Sequence, residues 1–179
     1  MLSVENTALL VVDMQVKLTR TMTAKESLVI NLQKLIAGMK VLGVPVIFTE
    51  QYPQGLGSTI PEIASLLNET KPITKMSFSC CGNEDFLQKV KSLNRKQIII
   101  AGIEAHVCVY QTVCDLLTMG YEVQAVADCV SSRTLENRAI ALDKMRDNGA
   151  QITSVESVLF ELLKTAESKL FKEISGIVK

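Results

Sequence analysis

Three residues far apart in the chain are of the types that could together activate a nucleophile: Asp13, Lys75 and Cys108. Cys108 ends the run Gly102-Ile103-Glu104-Ala105-His106-Val107-Cys108, in what reads as the first turn of a helix just after a strand. Unpaired backbone N–H groups and the helix dipole stabilise a thiolate there, and the same N–H groups can receive an oxyanion. The competing reading is a small buried hydrophobe, which describes most free cysteines. Asp13 follows the apolar run Thr7 to Val12 and precedes Met14-Gln15. A carboxylate at a strand end is a candidate base, but it also suits a helix cap. Lys75 says little alone, since most lysines are solvated. Its neighbours Ile73, Met76 and Phe78 permit partial burial. Near Cys108 it would lower the thiol pKa; near Asp13 it would hold the carboxylate ionised.

The other titratable groups narrow the options. Cys80, Cys81, Cys114 and Cys129 read as structural. Five cysteines are an odd number, and without a C-x-x-C they suggest neither a disulfide framework nor a zinc site. His106 is the only histidine, so a multi-histidine metal site is impossible and any Ser-His-Asp triad would have to use it. No metal and no cofactor are expected.

The elements that must position these residues alternate in type. Thr7 to Val12, Val44 to Thr49, a short edge segment in Ile73 to Ser79, Gln97 to Ala101, Glu122 to Ala127 and Ala150 to Thr153 read as strands. Amphipathic stretches lie between them. Thr23-x-x-Glu26, Thr59-x-x-Glu62 and Thr153-x-x-Glu156 read as capping boxes, and Asn83 as a cap. His106 to Met119 is apolar nearly all round and is expected to be a buried helix. A helix from about Thr134 ends at Asn148-Gly149, and Ser168 to Val178 forms another. Asp128 reads as part of a loop that caps a helix. The order predicts a three-layer α/β/α, Rossmann-like, doubly wound and mainly parallel sheet of about six strands, ordered 3-2-1-4-5-6. In that order the first and fourth strands are central neighbours, and Asp13 and Cys108 meet at the switch point where ligands bind.

At 179 residues, 47% apolar and 21% charged, the chain fits one domain, residues 1–179. A net charge of zero offers no surplus for nucleic acid or an anionic membrane, and neither partner is expected. No apolar run reaches the roughly 18 residues of a membrane span, and the N-terminus lacks the basic start of a secretory signal. A cytoplasmic protein with a small-molecule substrate is expected. The apolar C-terminal residues Leu170, Phe171, Ile174, Ile177 and Val178 are candidates for the interface of a homo-oligomer.

Leu10-Val11-Val12-Asp13-Met14-Gln15, Lys75 before a Ser-Phe segment, and Gly102 to Val109 together resemble the isochorismatase-like hydrolases. This cysteine hydrolase superfamily includes nicotinamidases and carbamoylsarcosine amidohydrolases. The likeness spans nearly the whole chain, and Thr49 to Thr59 resembles the isochorismatase-domain-containing branch. It implies that Asp13 is the general base, Lys75 the activating cation, and Cys108 the nucleophile that forms a thioester. It also implies a cis peptide at Ile103-Glu104, aiming the N–H groups of Glu104 and Cys108 at the oxyanion. The metal ligands of nicotinamidases are missing from Glu50-Gln51-Tyr52. True isochorismatases generally lack the cysteine, so Cys108 favours an amide, carbamoyl or related C–N substrate. Gln15, Gln51, Tyr52, Phe78, His106 and Tyr110 are pocket candidates, and His106 equally suits a helix cap. The rival reading is a thiol-based redox or small-molecule-binding protein on the same fold. A nucleotide-binding domain would need a glycine-rich or Walker motif that the chain lacks.

Overall fold

The computed structural model describes residues 1–179. Six strands, β1 (Thr7–Val12), β2 (Val46–Gln51), β3 (Ile73–Lys75), β4 (Gln97–Ile103), β5 (Glu122–Ser131) and β6 (Gln151–Thr153), form one sheet ordered β3-β2-β1-β4-β5-β6. Every adjacent pair is parallel. Helices connect them: α1 (Val16–Thr19), α2 (Lys25–Val41), α3 (Pro53–Leu56), α4 (Pro61–Ala64), α5 (Glu84–Ser92), α6 (Tyr110–Thr118), α7 (Leu135–Asp147), α8 (Val155–Leu163) and α9 (Phe171–Val178).

The strand pleat divides the core into two layers. Leu9, Val11, Ile99, Ala101 and Ile103 face α2, α4, α8 and α9, while Ala8, Leu10, Val12, Ile98 and Ile100 face α5, α6 and α7. Strands buried on both faces explain the continuous apolar runs. Gly102 lies between β1 and β4 at φ +117, and a Cβ there would sit 2.1 Å from the Val12 carbonyl oxygen. Only glycine permits that approach, and the β4–β5 register shifts at the same place.

Several local expectations change. β2 runs to Gln51 rather than stopping at Thr49, since its carboxyl end gains β3 as a partner. β5 continues through Asp128 to Ser131, so Asp128 is in a strand, yet its carboxylate still accepts the Val155 N–H at the start of α8. Thr23 and Thr59 do not cap. Thr23 Oγ1 donates to the Ser132 carbonyl and Thr59 Oγ1 to Glu50 Oε1, because tertiary partners outcompete the local ones. Ser154, not Thr153, caps α8; Asn83 caps α5 as expected, and Thr134 caps α7. The helix after β4 opens as a π turn, Ala105–Val109, before α6, and only one face of α6 is buried. α9 is an element of the core: Ile174 is buried, and Leu170, Phe171, Ile177 and Val178 pack on the α2 layer, so that surface is already used.

Candidate active site

Asp13, Lys75 and Cys108 converge at the carboxyl ends of β1, β3 and the segment after β4. Asp13 takes a left-handed backbone (φ 51), which turns the chain sharply out of β1. Its N–H donates to the Thr49 carbonyl at 3.2 Å, fixing it to the end of β2. Thr49 Oγ1 donates to Asp13 Oδ1 at 2.7 Å, and Lys75 Nζ donates to Oδ2 at 2.6 Å. Neither side chain of the ion pair has any solvent exposure. Lys75 Nζ also donates to Gln51 Oε1 at 2.8 Å and to the carbonyls of Phe78 and Ser77 at 3.1 and 3.3 Å. That oxygen cage satisfies an ammonium that burial would otherwise make costly.

Cys108 is buried in the π turn, which packs against α6, α7 and β4. Its carbonyl accepts Thr112 Oγ1 at 2.6 Å. Burial, then the Asp13 charge, push the Cys108 thiol up to about 12; Lys75 pulls the other way, and a hydrogen bond to Asp13 and the charge of Cys80 raise it further. Both effects favour the neutral thiol over the thiolate at this sulfur. Lys75 lowers the thiol pKa as expected, but burial and Asp13 win, because the lysine charge is already engaged by the carboxylate.

The peptide bond Ile103-Glu104 is cis. The Glu104 carbonyl accepts the Val107 and Val109 N–H groups at 3.1 and 3.2 Å, so it holds the nucleophile turn. The Glu104 carboxylate accepts Arg133 Nε at 2.9 Å. His106 Nδ1 lies 3.0 Å from Ser132 Oγ and 4.0 Å from Glu104 Oε2.

The remaining pocket candidates fall in different places. Gln51 supports Lys75 directly. Gln15 is fully buried and pairs with Gln51: the Gln51 N–H donates to Gln15 Oε1 at 2.7 Å, while Gln15 Nε2 donates to the Gln51 and Gly57 carbonyls at 2.9 and 2.6 Å. It braces the loop after β2. Tyr52 and Phe78 are 47% and 55% exposed and adjoin Lys75 through their backbones, where the Tyr52 N–H donates to the Lys75 carbonyl. Tyr110 stacks under Lys144 Nζ, 4.2 Å from the ring centre. Sequence reasoning missed Thr49 and Thr112; a threonine buried at a strand end or inside a helix was the available signal.

A cavity of about 500 Å³ between α1, α2 and α4 is lined by Val16, Thr19, Val29, Ile30 and Ile60 among others, and touches none of Asp13, Lys75 or Cys108. Its rim also carries Arg20, Lys25, Glu26 and Glu62, so it is a separate, partly charged cavity away from the buried ion pair. No three His, Cys, Asp or Glu side chains are grouped to hold a metal ion. No helix is long and apolar enough to cross a membrane.

Comparison with known proteins is consistent across sequence and structure. The family model described as the Isochorismatase domain matches residues 7–157. Isochorismatase domain-containing protein 2 of Danio rerio is 40% identical over 178 residues, covering 99% of this chain and 89% of that protein. A Caenorhabditis elegans structure described as MAR1 ribonuclease superposes with a TM-score of 0.93 at 36% identity, over 99% of this chain and 91% of that one. The YcaC gene product of Escherichia coli, described as an octameric hydrolase of unknown specificity, gives 0.93 at 26% identity, over 98% and 88% of the two chains.

Proposed function

Because the chain belongs to the isochorismatase family, we propose that it is a cofactor-free hydrolase in which Cys108, Asp13 and Lys75 cleave an amide, carbamoyl or related C–N bond. The observation that carries this reading is the fully buried Asp13–Lys75 pair at 2.6 Å, with Asp13 acting on the Cys108 thiol. A structural ion pair gains little from complete burial. A base that must stay ionised inside a protein needs such a cation.

The chemistry follows from the resting protonation state. Asp13 takes the Cys108 proton as the sulfur attacks the carbonyl carbon, so a neutral thiol is converted to a nucleophile only when substrate is in place. The N–H groups of Glu104 and Cys108 receive the carbonyl oxygen as it becomes an oxyanion. Collapse breaks the C–N bond, the amine leaves with the proton held by Asp13, and a thioester remains on Cys108. Water, losing a proton to Asp13, attacks the thioester; the acid departs and Cys108 regains its proton. Lys75 Nζ holds one Asp13 oxygen in place through the cycle, and Thr49 Oγ1 holds the second. Gln15, Gln51, Tyr52, Phe78, His106 and Tyr110 are the proposed pocket residues, and of these Gln51 touches the Lys75 ammonium.

A screen of amides, carbamoyl compounds and esters, with an RNA arm because of the name carried by the C. elegans neighbour, tests the reading. Neutral net charge weighs against RNA. Turnover by wild type that disappears in Cys108→Ala and Asp13→Asn, but survives in Cys114→Ala, is the expected result. Full activity in Asp13→Asn refutes the triad. The E. coli neighbour is octameric by its description, and a homo-oligomer is proposed here on that likeness.

A further inference from the structure

Cys80 is a buried thiol for which the hydrolytic mechanism has no use, yet it lies near enough to Asp13 and Lys75 to feel both charges. It lies in the 3₁₀ turn Cys80–Gly82 that follows β3, and it is wholly buried in the same apolar layer as Cys108. Two threonines tie it to the site. Thr112 Oγ1 donates to the Cys108 carbonyl at 2.6 Å and accepts the Cys80 N–H at 2.9 Å, so one hydroxyl clamps the two cysteine backbones together. Thr49 Oγ1 lies 3.9 Å from Cys80 Sγ and donates to Asp13 Oδ1 at 2.7 Å. The two thiols also sense the same charges: Lys75 and Asp13 act on both, and Cys80 acts on Cys108. All five cysteines are free.

We propose that Cys80 is a resolving cysteine: when a peroxide oxidises Cys108, Cys80 closes a Cys80–Cys108 disulfide that switches the site off reversibly and protects the nucleophile. The proposal rests on Cys108 being the nucleophile with Asp13 as its base, and on no particular substrate. In the first step Asp13 takes the Cys108 proton and the sulfur attacks hydrogen peroxide. The O–O bond breaks, an S–OH group forms, and the departing hydroxide leaves as water with that proton. In the second step the Cys80 sulfur attacks the Cys108 sulfur, the S–OH bond breaks, and the hydroxide takes the Cys80 proton to leave as water. Thr49, between Cys80 Sγ and Asp13, can relay that proton to Asp13, which hands it to the departing hydroxide. Two thiols have then become one disulfide, and one peroxide has become two waters. Cys80 needs no solvent exposure, since its only reaction partner is inside the protein. Cys81 is the neighbouring thiol, but its N–H is bound to Ser79 Oγ and no threonine bridges it to Cys108.

The test is hydrogen peroxide treatment of the full chain followed by non-reducing peptide mapping with mass spectrometry, in wild type, Cys80→Ser, Cys80→Ala and Cys81→Ser. Expected are linked peptides joining Cys80 to Cys108 in wild type and Cys81→Ser, lost on adding dithiothreitol. In both Cys80 variants the same dose should carry Cys108 to sulfinic and sulfonic acid, which dithiothreitol does not reverse. Native mass and unfolding midpoint confirm that each variant is folded, and two different substitutions at Cys80 guard against one failing. Over-oxidised Cys108 without linkage in wild type, or linkage to Cys81 or Cys114, overturns the proposal. The readout needs no substrate, so its failure is distinct from failure of the hydrolase reading: a disulfide could form in a protein without turnover, and an active hydrolase could lack it.

Discussion

Replacing Lys75 by Met removes the cation from a buried ion pair while keeping most of the side-chain volume. The Asp13 carboxylate, without solvent exposure, is left with the Thr49 hydroxyl and the Cys108 thiol as neutral donors and no cation. Removing one member of a buried pair costs about 3–5 kcal/mol, because the other charge stays uncompensated. Domains have roughly 5–15 kcal/mol in all. Lys75→Met should therefore still fold, with a much lower midpoint. At roughly 2–4 °C per kcal/mol for a chain of this size, the fall is about 6–20 °C. Asp13→Asn should cost less, because Lys75 keeps Gln51 Oε1 and the Phe78 and Ser77 carbonyls. The double variant Asp13→Asn with Lys75→Met removes both charges, and it should be more stable than the sum of the single losses by about 2 kcal/mol. Urea unfolding at pH 7, with the three variants beside wild type, measures the cycle. Additive losses, or a Lys75→Met midpoint unchanged from wild type, would refute the claim that the two charges depend on each other.

Three further outcomes follow from the same geometry. Thr49→Val keeps the shape but removes the hydroxyl from Asp13, and urea unfolding should show a loss of about 1.5–3 kcal/mol, the scale for a hydrogen bond to a charge. Gly102→Ala places a Cβ 2.1 Å from the Val12 carbonyl at φ +117, so β1 and β4 must separate; a loss of roughly 3 kcal/mol or more, or insoluble expression, is expected, and wild-type stability would contradict the close approach. Burial raises the thiols of Cys80 to about 11 and of Cys108 to about 12 from an ordinary 9.0. The unfolded chain ionises first as pH rises, so stability should hold below about pH 9 and decline above it, by about 1.4 kcal/mol per pH unit from Cys80 alone until about pH 11. A flat profile from pH 8 to 11 in denaturant titrations would argue against buried, protonated thiols.

The strand runs were legible because a parallel sheet buries its central strands on both faces, and burial on both faces leaves an uninterrupted apolar run in the chain; their order 3-2-1-4-5-6 followed from right-handed crossovers, not from the runs. Cys108 was legible too, from its place just after the run Gln97 to Ala101. Capping was read less well. Thr23 and Thr59 have the right types at the right spacing, yet their hydroxyls go to Ser132 and Glu50. Spacing along the chain reports only local partners, and a partner from another element can outcompete them. The C-terminal apolar residues looked free for an interface, since no periodicity announces that α2 lies in wait for them. The sequence by itself determined which residues are apolar, which can carry charge, and where strands must run. Only the tertiary structure decided that Lys75 loses all contact with water and spends its charge on Asp13. The same folding pushed the Cys108 thiol pKa up and set Cys80 in the same apolar layer, because pKa and proximity depend on which groups are brought together and how much water is left between them.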